Sequence, residues 1–353
     1  NFTDSSSNLA AAFDGTINSS GNLTVNNNNY TVAELVKINN GTSGNIVLNT
    51  ANVALSGSVA NIKAAFAGTI TTHTGTLEIT DAATTDITAT DITTIDTTNT
   101  GTITVANAID INGSGSEVAA AFTAIDTNTG NATANVTGND YTVANLKTIN
   151  DATTGAIVLA NAGVALSGDS TDIAAAFAGT VTTHTGTVTI TNSDYTVAEL
   201  KTINNATSGN IILNNAGGAL SGSATDVAAA LAGTITTHTG NVTLTGTTSV
   251  SDLSTVDGRT DGTITYSISD TSGNVSGAST SVLNGATNIT ATHDGVGGNV
   301  FEFDNLTSTS TTSSVTVTGD AGVDVVELST ALTQSGKASI ALGDGDGAAD
   351  DVI

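Results

Sequence analysis

Ten times in this chain a glycine is followed by the pattern x-apolar-x-apolar, at Gly21, Gly44, Gly75, Gly101, Gly130, Gly155, Gly186, Gly209, Gly240 and Gly262. The intervals average about 27 residues, a spacing typical of repeat architectures. The apolar pairs are Leu23/Val25, Ile46/Leu48, Leu77/Ile79, Ile103/Val105, Ala132/Ala134, Ile157/Leu159, Val188/Ile190, Ile211/Leu213, Val242/Leu244 and Ile264/Tyr266. Apolar residues two apart share one face of a strand. The cassettes therefore predict one short strand per coil, stacked into a parallel ladder of about ten rungs, with Ala132/Ala134 the weakest.

The intervals alternate between long and short, so the unit is a pair of coils. Tyr141 and Tyr195 head its two cleanest copies, and Tyr30 heads another. Between the cassettes lies a second pattern. In the stretch from Ser223 to Gly233, Thr225 or Asp226 can cap a helix, the alanines favour it, and Gly233 suits its end. Ile62–Phe66 and Ile173–Phe177 read the same way, the latter with Thr171 or Asp172 as cap. Thr196–Ile203 offers a threonine cap and a helix of about two turns. Each coil is thus expected to run strand, turn, short helix, turn.

The expected fold class is a repeat solenoid, a parallel β-strand ladder of about ten ~27-residue coils with a short helix per coil, followed by an all-β C-terminal region. Its divisions are a partial repeat at 1–29, repeats at 30–86, 87–140 (degenerate), 141–194 and 195–247, a half repeat at 248–266, and a β-rich Gly/Asp region at 267–353. The chain opens at Asn1 and stops within a Gly/Asp motif, which leads to the expectation of a processed chain or a portion of a longer one.

Composition narrows the function. The chain has 353 residues, no Pro, Cys, Met or Trp, and 3% aromatics. Average usage would give roughly eighteen prolines, and interior rungs of a sheet do not tolerate a missing amide donor. A thin core of Ala, Val, Ile and Leu fits stacked repeats better than one thick globular core. The net charge is −26, and the six basic residues are scattered. Nucleic acid and anionic membrane surfaces are thereby excluded as partners, and no apolar run is long enough to span a bilayer. No nucleophile elbow, phosphate loop or zinc-protease signature occurs, so no enzyme is expected.

Three groups of residues invite a site. His73, His184 and His238 share a THTG turn. Equivalent positions two coils apart would be separated by about 10 Å, too far to share a zinc ion, so they read as repeated turn residues. Tyr30, Tyr141 and Tyr195 could line a carbohydrate face, or cap the seam between sheet and helix. Outward threonines raise ice binding, but rows such as Asn45/Val47 and Asn210/Ile212 are not uniform. Sequons such as Asn205-Ala-Thr207 are as frequent as this composition gives by chance.

The tail carries a motif with a mechanism. Gly319–Glu327 (GDAGVDVVE) fits the calcium-binding nonapeptide at all but its second position, and Gly343–Asp351 (GDGDGAADD) supplies Asp344, Asp346 and Asp350 as spaced carboxylates. Asp294–Asn299 is a weaker third run. The alternative reading is Gly/Asp turns between strands. These stretches, confined to the end of the chain, resemble the calcium-binding repeats of RTX-type bacterial secreted and cell-surface proteins, including surface-layer proteins and large adhesins. The resemblance implies Ca²⁺, with Asp324 and Asp346 as side-chain ligands, Gly319 and Gly322 contributing backbone, and Asp344 and Asp350 nearby.

The expected function is structural and non-enzymatic: an extracellular, calcium-associated subunit or segment of a bacterial surface layer, sheath, filament or adhesin stalk, with self-assembly as its main partnership. Two alternatives stand beside it. One is a glycan-binding adhesin or phage-fibre-like shaft, with surface glycans as partners. The other is a carbohydrate-active β-helix enzyme.

Overall fold

The computed structural model describes residues 1–15 and 18–293 and, beyond them, the strand residues 300–302, 314–318, 325–327 and 340–343. The chain divides into two units, one of residues 1–168 and 172–187, the other of residues 169–171 and 188–353. In both, short parallel strands alternate with helices.

In the first unit the order is β1 (Phe2–Asp4), α1 (Ser6–Ala12), β2 (Leu23–Val25), α2 (Val32–Gly41), β3 (Ile46–Leu48), β4 (Leu55–Gly57), α3 (Val59–Ala65) and β5 (Leu77–Ile79). It continues with β6 (Asp86–Thr88), α4 (Ala89–Thr98), β7 (Ile103–Val105), β8 (Asp110–Gly113), α5 (Gly115–Ala124), β9 (Thr127–Asn128), β10 (Thr133–Val136), α6 (Val143–Ala152), β11 (Ile157–Leu159), β12 (Leu166–Gly168) and α7 (Ser170–Ala176). Three all-parallel sheets result, ordered β1-β2-β3, β4-β5-β7-β9 and β6-β8-β10-β11.

The second unit runs β13 (Val188–Ile190), α8 (Val197–Ala206), β14 (Ile211–Leu213), β15 (Leu220–Gly222), α9 (Ala224–Ala230), β16 (Val242–Thr248), α10 (Val250–Asp257) and β17 (Ile264–Thr271). Then come α11 (Ser272–Ser276), α12 (Thr280–Gly285), β18 (Ala286–Thr292), β19 (Val300–Glu302), β20 (Ser314–Thr318), β21 (Val325–Glu327) and β22 (Ile340–Gly343). β13 pairs with β14, β19 with β21, and a six-stranded sheet is ordered β15-β16-β17-β18-β20-β22.

Every cassette forms a strand, yet the single ladder expected from the sequence does not form. The register pairs Phe2 with Leu23, Leu23 with Ile46, Leu55 with Leu77 and Leu77 with Ile103. The short cassette intervals, such as Gly21 to Gly44, match that offset, so those cassettes pair with each other. The long intervals, such as Gly44 to Gly75, overshoot it by the stretch that separates Ile46 from an extra strand at Leu55. Leu77 therefore pairs with Leu55 rather than with the cassette before it, and Val242 likewise pairs with Leu220. The two-coil period is the period at which one sheet stops and the next begins. A second strand per repeat, in Leu-Ser-Gly form at β4, β12 and β15, makes the handover possible.

Two further expectations are corrected. In β10 the residues facing Ile157 and Leu159 are Ala134 and Val136. The strand therefore starts later than the cassette suggests, after Asn131 adopts φ 52°. The region after 266 is not all-β: α11 and α12 form there, nucleated by the side chains of Thr271 and Ser279, which accept bonds from Asn274 N–H and Val282 N–H.

The helices follow their caps. Thr31, Thr142 and Thr196 form capping boxes with Glu34, Asn145 and Glu199, so the Thr196 helix extends to ten residues. Ser223, rather than Thr225 or Asp226, caps α9. Each helix buries one stripe, such as Leu35 and Ile38 of α2, and the strands bury theirs, such as Leu23, Val25 and Ile46. These short helices take their stability from that face.

Candidate functional site

The recurring polar side chains of the repeat converge on its own backbone. His73 is fully buried; its Nε2 lies 2.8 Å from the Val53 carbonyl oxygen and its Nδ1 2.9 Å from Asn99 Oδ1. His184 Nε2 meets the Val164 carbonyl at 2.8 Å, and His238 Nε2 meets that of Gly218 at 2.7 Å. A carbonyl oxygen only accepts, so Nε2 carries a proton in each. In His238 the other nitrogen lies 3.0 Å from Thr260 Oγ1. Burial pushes the imidazoles of His184 and His238 below the usual histidine range, partly offset by the carbonyl bond. These buried rings tie their turn to neighbouring turns of the chain. Two positions earlier in each turn, Thr71, Thr182 and Thr236 accept the strand amides of Leu48, Leu159 and Leu213, substituting a side chain for the next strand.

Tyr30, Tyr141 and Tyr195 are equally interior, at 1–2% exposure. Their hydroxyls donate to the carbonyls of Thr50, Asn161 and Asn215, each in the turn that follows the next strand. Burial pushes the Tyr30 phenol up to about 12. The reading in which these rings line a carbohydrate face is overturned, because no ring face reaches solvent. They close the seam between sheet and helix.

Asparagine and aspartate complete the scheme. Asn39, Asn150 and Asn204 donate to the carbonyls of Ala64, Ala175 and Ala229, near the end of the next helix. Asn27, Asp81 and Asp140 accept the first helical amides of α1, α3 and α5, at Ser6, Val59 and Gly115. In the second unit Asn192 accepts from Ser170 and Asp270 from Val250. Helix ends leave orphan amides and carbonyls, and here the adjacent coil satisfies them. Sequence reasoning missed these residues. Their signal was an Asx one short cassette interval beyond a helix start, visible once the helices are placed.

The described lysines make ion pairs between successive helical segments: Lys37 with Asp14, Lys63 with Asp91, Lys147 with Asp172 and Lys201 with Asp226. All are partly exposed and contribute little to stability. Glu199 illustrates the local electrostatics. Burial pushes its carboxyl up, but bonds from Thr196 N–H and from the hydroxyls of Thr171, Thr196 and Ser170 outweigh burial and leave it below its ordinary value.

The calcium residues inferred from the sequence, Gly319, Gly322, Asp324, Asp344, Asp346 and Asp350, lie outside the described residues, as does the run at 294–299. β20 ends at Thr318, directly before that nonapeptide, and β21 covers its last three residues. Among the described residues no cluster of three His, Cys, Asp or Glu side chains is placed to hold a metal ion, and no helix is long and apolar enough to cross a membrane. No protein-family model matches the chain, and no curated protein is significantly similar to it.

Proposed function

We propose that this chain is a non-enzymatic structural protein of a bacterial cell exterior, a repeat solenoid that acts as a segment of a surface layer, sheath, filament or adhesin stalk. The observation that carries this reading is where the repeated polar side chains go. His, Tyr, Asn and Asp recur at fixed places, and each ends on the backbone of the adjacent coil. In a repeat protein, stability is a sum of nearest-neighbour interfaces. A chain that directs its recurring polar groups into those interfaces is suited to holding shape. Its acidic surface, at net charge −26, suits a soluble extracellular array.

Calcium belongs to the same reading. The Gly/Asp runs at 319–327 and 343–351 supply carboxylates and tight turns in the manner of weak extracellular calcium sites, which fill at the millimolar levels found outside cells. Asp324 and Asp346 would ligate through their side chains, and charge neutralisation there would order the tail for assembly.

Negative-stain electron microscopy with calcium and after chelation tests the proposal. Sheets, filaments or long rods that lose order on chelation are expected. Compact particles in both conditions would overturn the structural role. An Asp324→Ala, Asp346→Ala protein that binds calcium as tightly as the parent would remove the ligand assignment while leaving the solenoid in place.

A further inference from the structure

In the six-stranded sheet of the second unit, part of one face is paved with small polar side chains. Along β17 they are Ser267, Ser269 and Thr271, along β18 Asn288, Thr290 and Thr292, and along β20 Ser314, Thr316 and Thr318. The residues between them, Ile268, Ile289, Ala291, Val315 and Val317, are buried, so strand alternation turns the polar set to the opposite face. All of that set are half-exposed or exposed. Asp270, the one charged residue in these three strands, lies on the inward side and accepts the Val250 amide.

The set forms a lattice. Register runs without a shift from Ile268 opposite Ile289 to Thr271 opposite Thr292, and from Asn288 opposite Ser314 to Thr292 opposite Thr318. Ser269, Thr290 and Thr316 therefore make one row across the strands, and Thr271, Thr292 and Thr318 the next. In the row before them Asn288 Nδ2 donates to Ser267 Oγ at 3.3 Å, and Ser314 Oγ donates to Asn288 Oδ1 at 2.7 Å, which fixes those side chains. Neighbours within a row are about 4.8 Å apart, and two residues of rise separate the rows by about 6.6 Å. Thr290 stands at the centre, and Thr271 doubles as the cap of α11. The plate is three strands wide. β22 continues the register with Ala341 and Gly343, which carry no hydroxyl, and on the other side the β16–β17 register shifts between Thr243 and Thr247.

We propose that this plate binds the surface of ice. A threonine methyl orders the water beside it, and its hydroxyl donates and accepts within the same water layer. A sheet holds these groups at two fixed spacings, close to the repeats of water oxygens on the prism faces of hexagonal ice. Water ordered on the plate thus meets a growing crystal already in its lattice. Other occupants lack what they need: a sugar wants an exposed aromatic face and a protein partner an apolar or aromatic anchor, and the plate has neither. It also carries no charge, in a chain of net charge −26. The outward rows that are uneven in the sequence belong to other sheets, where exposed Val47 and Val158 interrupt them. This inference goes beyond the structural role proposed above and does not depend on assembly.

Slow growth of polycrystalline ice through a dilute solution of the whole chain, mixed with a carrier protein that ice excludes, tests it. The chain should be enriched in the ice relative to the carrier, and single ice crystals grown in its presence should be faceted. Thr290→Lys raises a long charged side chain from the centre of the plate and should abolish both effects. Thr290→Ser keeps the hydroxyl, removes the methyl and should lower the enrichment without abolishing it. Thr189→Lys, at an outward position of β13 in a different sheet, should leave it unchanged. Circular dichroism melts of the three proteins should match the parent, because none of these side chains belongs to the core. Exclusion of the parent from ice to the same degree as the carrier would overturn the proposal. So would undiminished enrichment in Thr290→Lys or in Thr290→Ser, or an equal loss in Thr189→Lys.

Discussion

His238 Nε2 lies 2.7 Å from the carbonyl oxygen of Gly218, in the turn that precedes β15, and no part of the ring is exposed. His184 stands in the same relation to Val164. Both imidazoles are held below the usual range, chiefly by burial. A histidine with a depressed folded-state pKa binds its proton more readily when unfolded, so stability rises with pH across that window. The contribution is complete above about pH 6.5 and is lost as pH falls below it. Urea midpoints should drop between pH 7.5 and pH 5.5, where carboxylates stay ionised. His184→Gln, His238→Gln keeps an N–H donor without a titrating group and should flatten the dependence. An unchanged slope in that protein would assign the pH effect to other groups.

Gly155 stands where a Cβ would lie 2.5 Å from the backbone oxygens of both Asn131 and Ala132 in the preceding strand segment. Gly75 faces the Val53 carbonyl oxygen at 2.6 Å in the same manner. Cassette glycines such as Gly75 and Gly155 are thus set by close backbone approach. Gly155→Ala should cost about 1–3 kcal/mol, since the obstacle is main chain and cannot rotate away. Chemical denaturation measures it directly, and a loss too small to shift the midpoint would mean that the strands separate cheaply.

Much of this was legible in the sequence. Period-2 apolar pairs marked the cassette strands apart from β10, where the inward pair is Ala134 and Val136, and Thr196 with Glu199 marked a helix start. The arrangement of the ladders was hidden because Leu55-Ser56-Gly57 has a single apolar residue and presents no alternation. Without that strand, the long interval from Gly44 to Gly75 reads as a longer coil instead of a change of partner. The buried tyrosines were ambiguous for a related reason. Recurrence shows that a residue matters to the repeat, but only the Tyr195 bond to the Asn215 carbonyl shows which side it faces. The Asp81 cap on Val59 joins two residues from different coils, and no local pattern encodes it.

Asn204 donates to the Ala229 carbonyl at 2.8 Å, as Asn150 does to Ala175. Removing the amide takes the stronger donor from a carbonyl that a backbone N–H reaches only at 3.3 Å, from Ala232 to Ala229 and from Ala178 to Ala175, at about 1 kcal/mol per site. Asn204→Ala should therefore lower the unfolding free energy by roughly that amount. Asn205→Ala, on the same helix but with its side chain exposed, should be close to neutral. Equal effects at the two positions would mean that helix propensity, not the bond between coils, governs this segment.

Thr84 adopts φ 62°, the left-handed region in which a β-branched residue is a true outlier. It occupies the third position of the turn closed by Thr85 N–H on the Ala82 carbonyl, where a type II turn calls for glycine. Its own amide donates to the Ala108 carbonyl at 2.8 Å, and that neighbouring contact holds the conformation in place. Left-handed geometry costs an L-residue about 1–2 kcal/mol, while glycine adds roughly 0.5–1 kcal/mol of unfolded-state entropy. Thr84→Gly should therefore stabilise the protein by about 0.5–1 kcal/mol, whereas Thr84→Ala, which keeps a Cβ, should gain little. Asn131, at φ 52°, is a residue type that tolerates this region, so Asn131→Gly should be nearly neutral. Equilibrium unfolding of the three proteins separates the cases. A destabilised Thr84→Gly would show that the threonine side chain makes a contribution larger than the strain of its backbone.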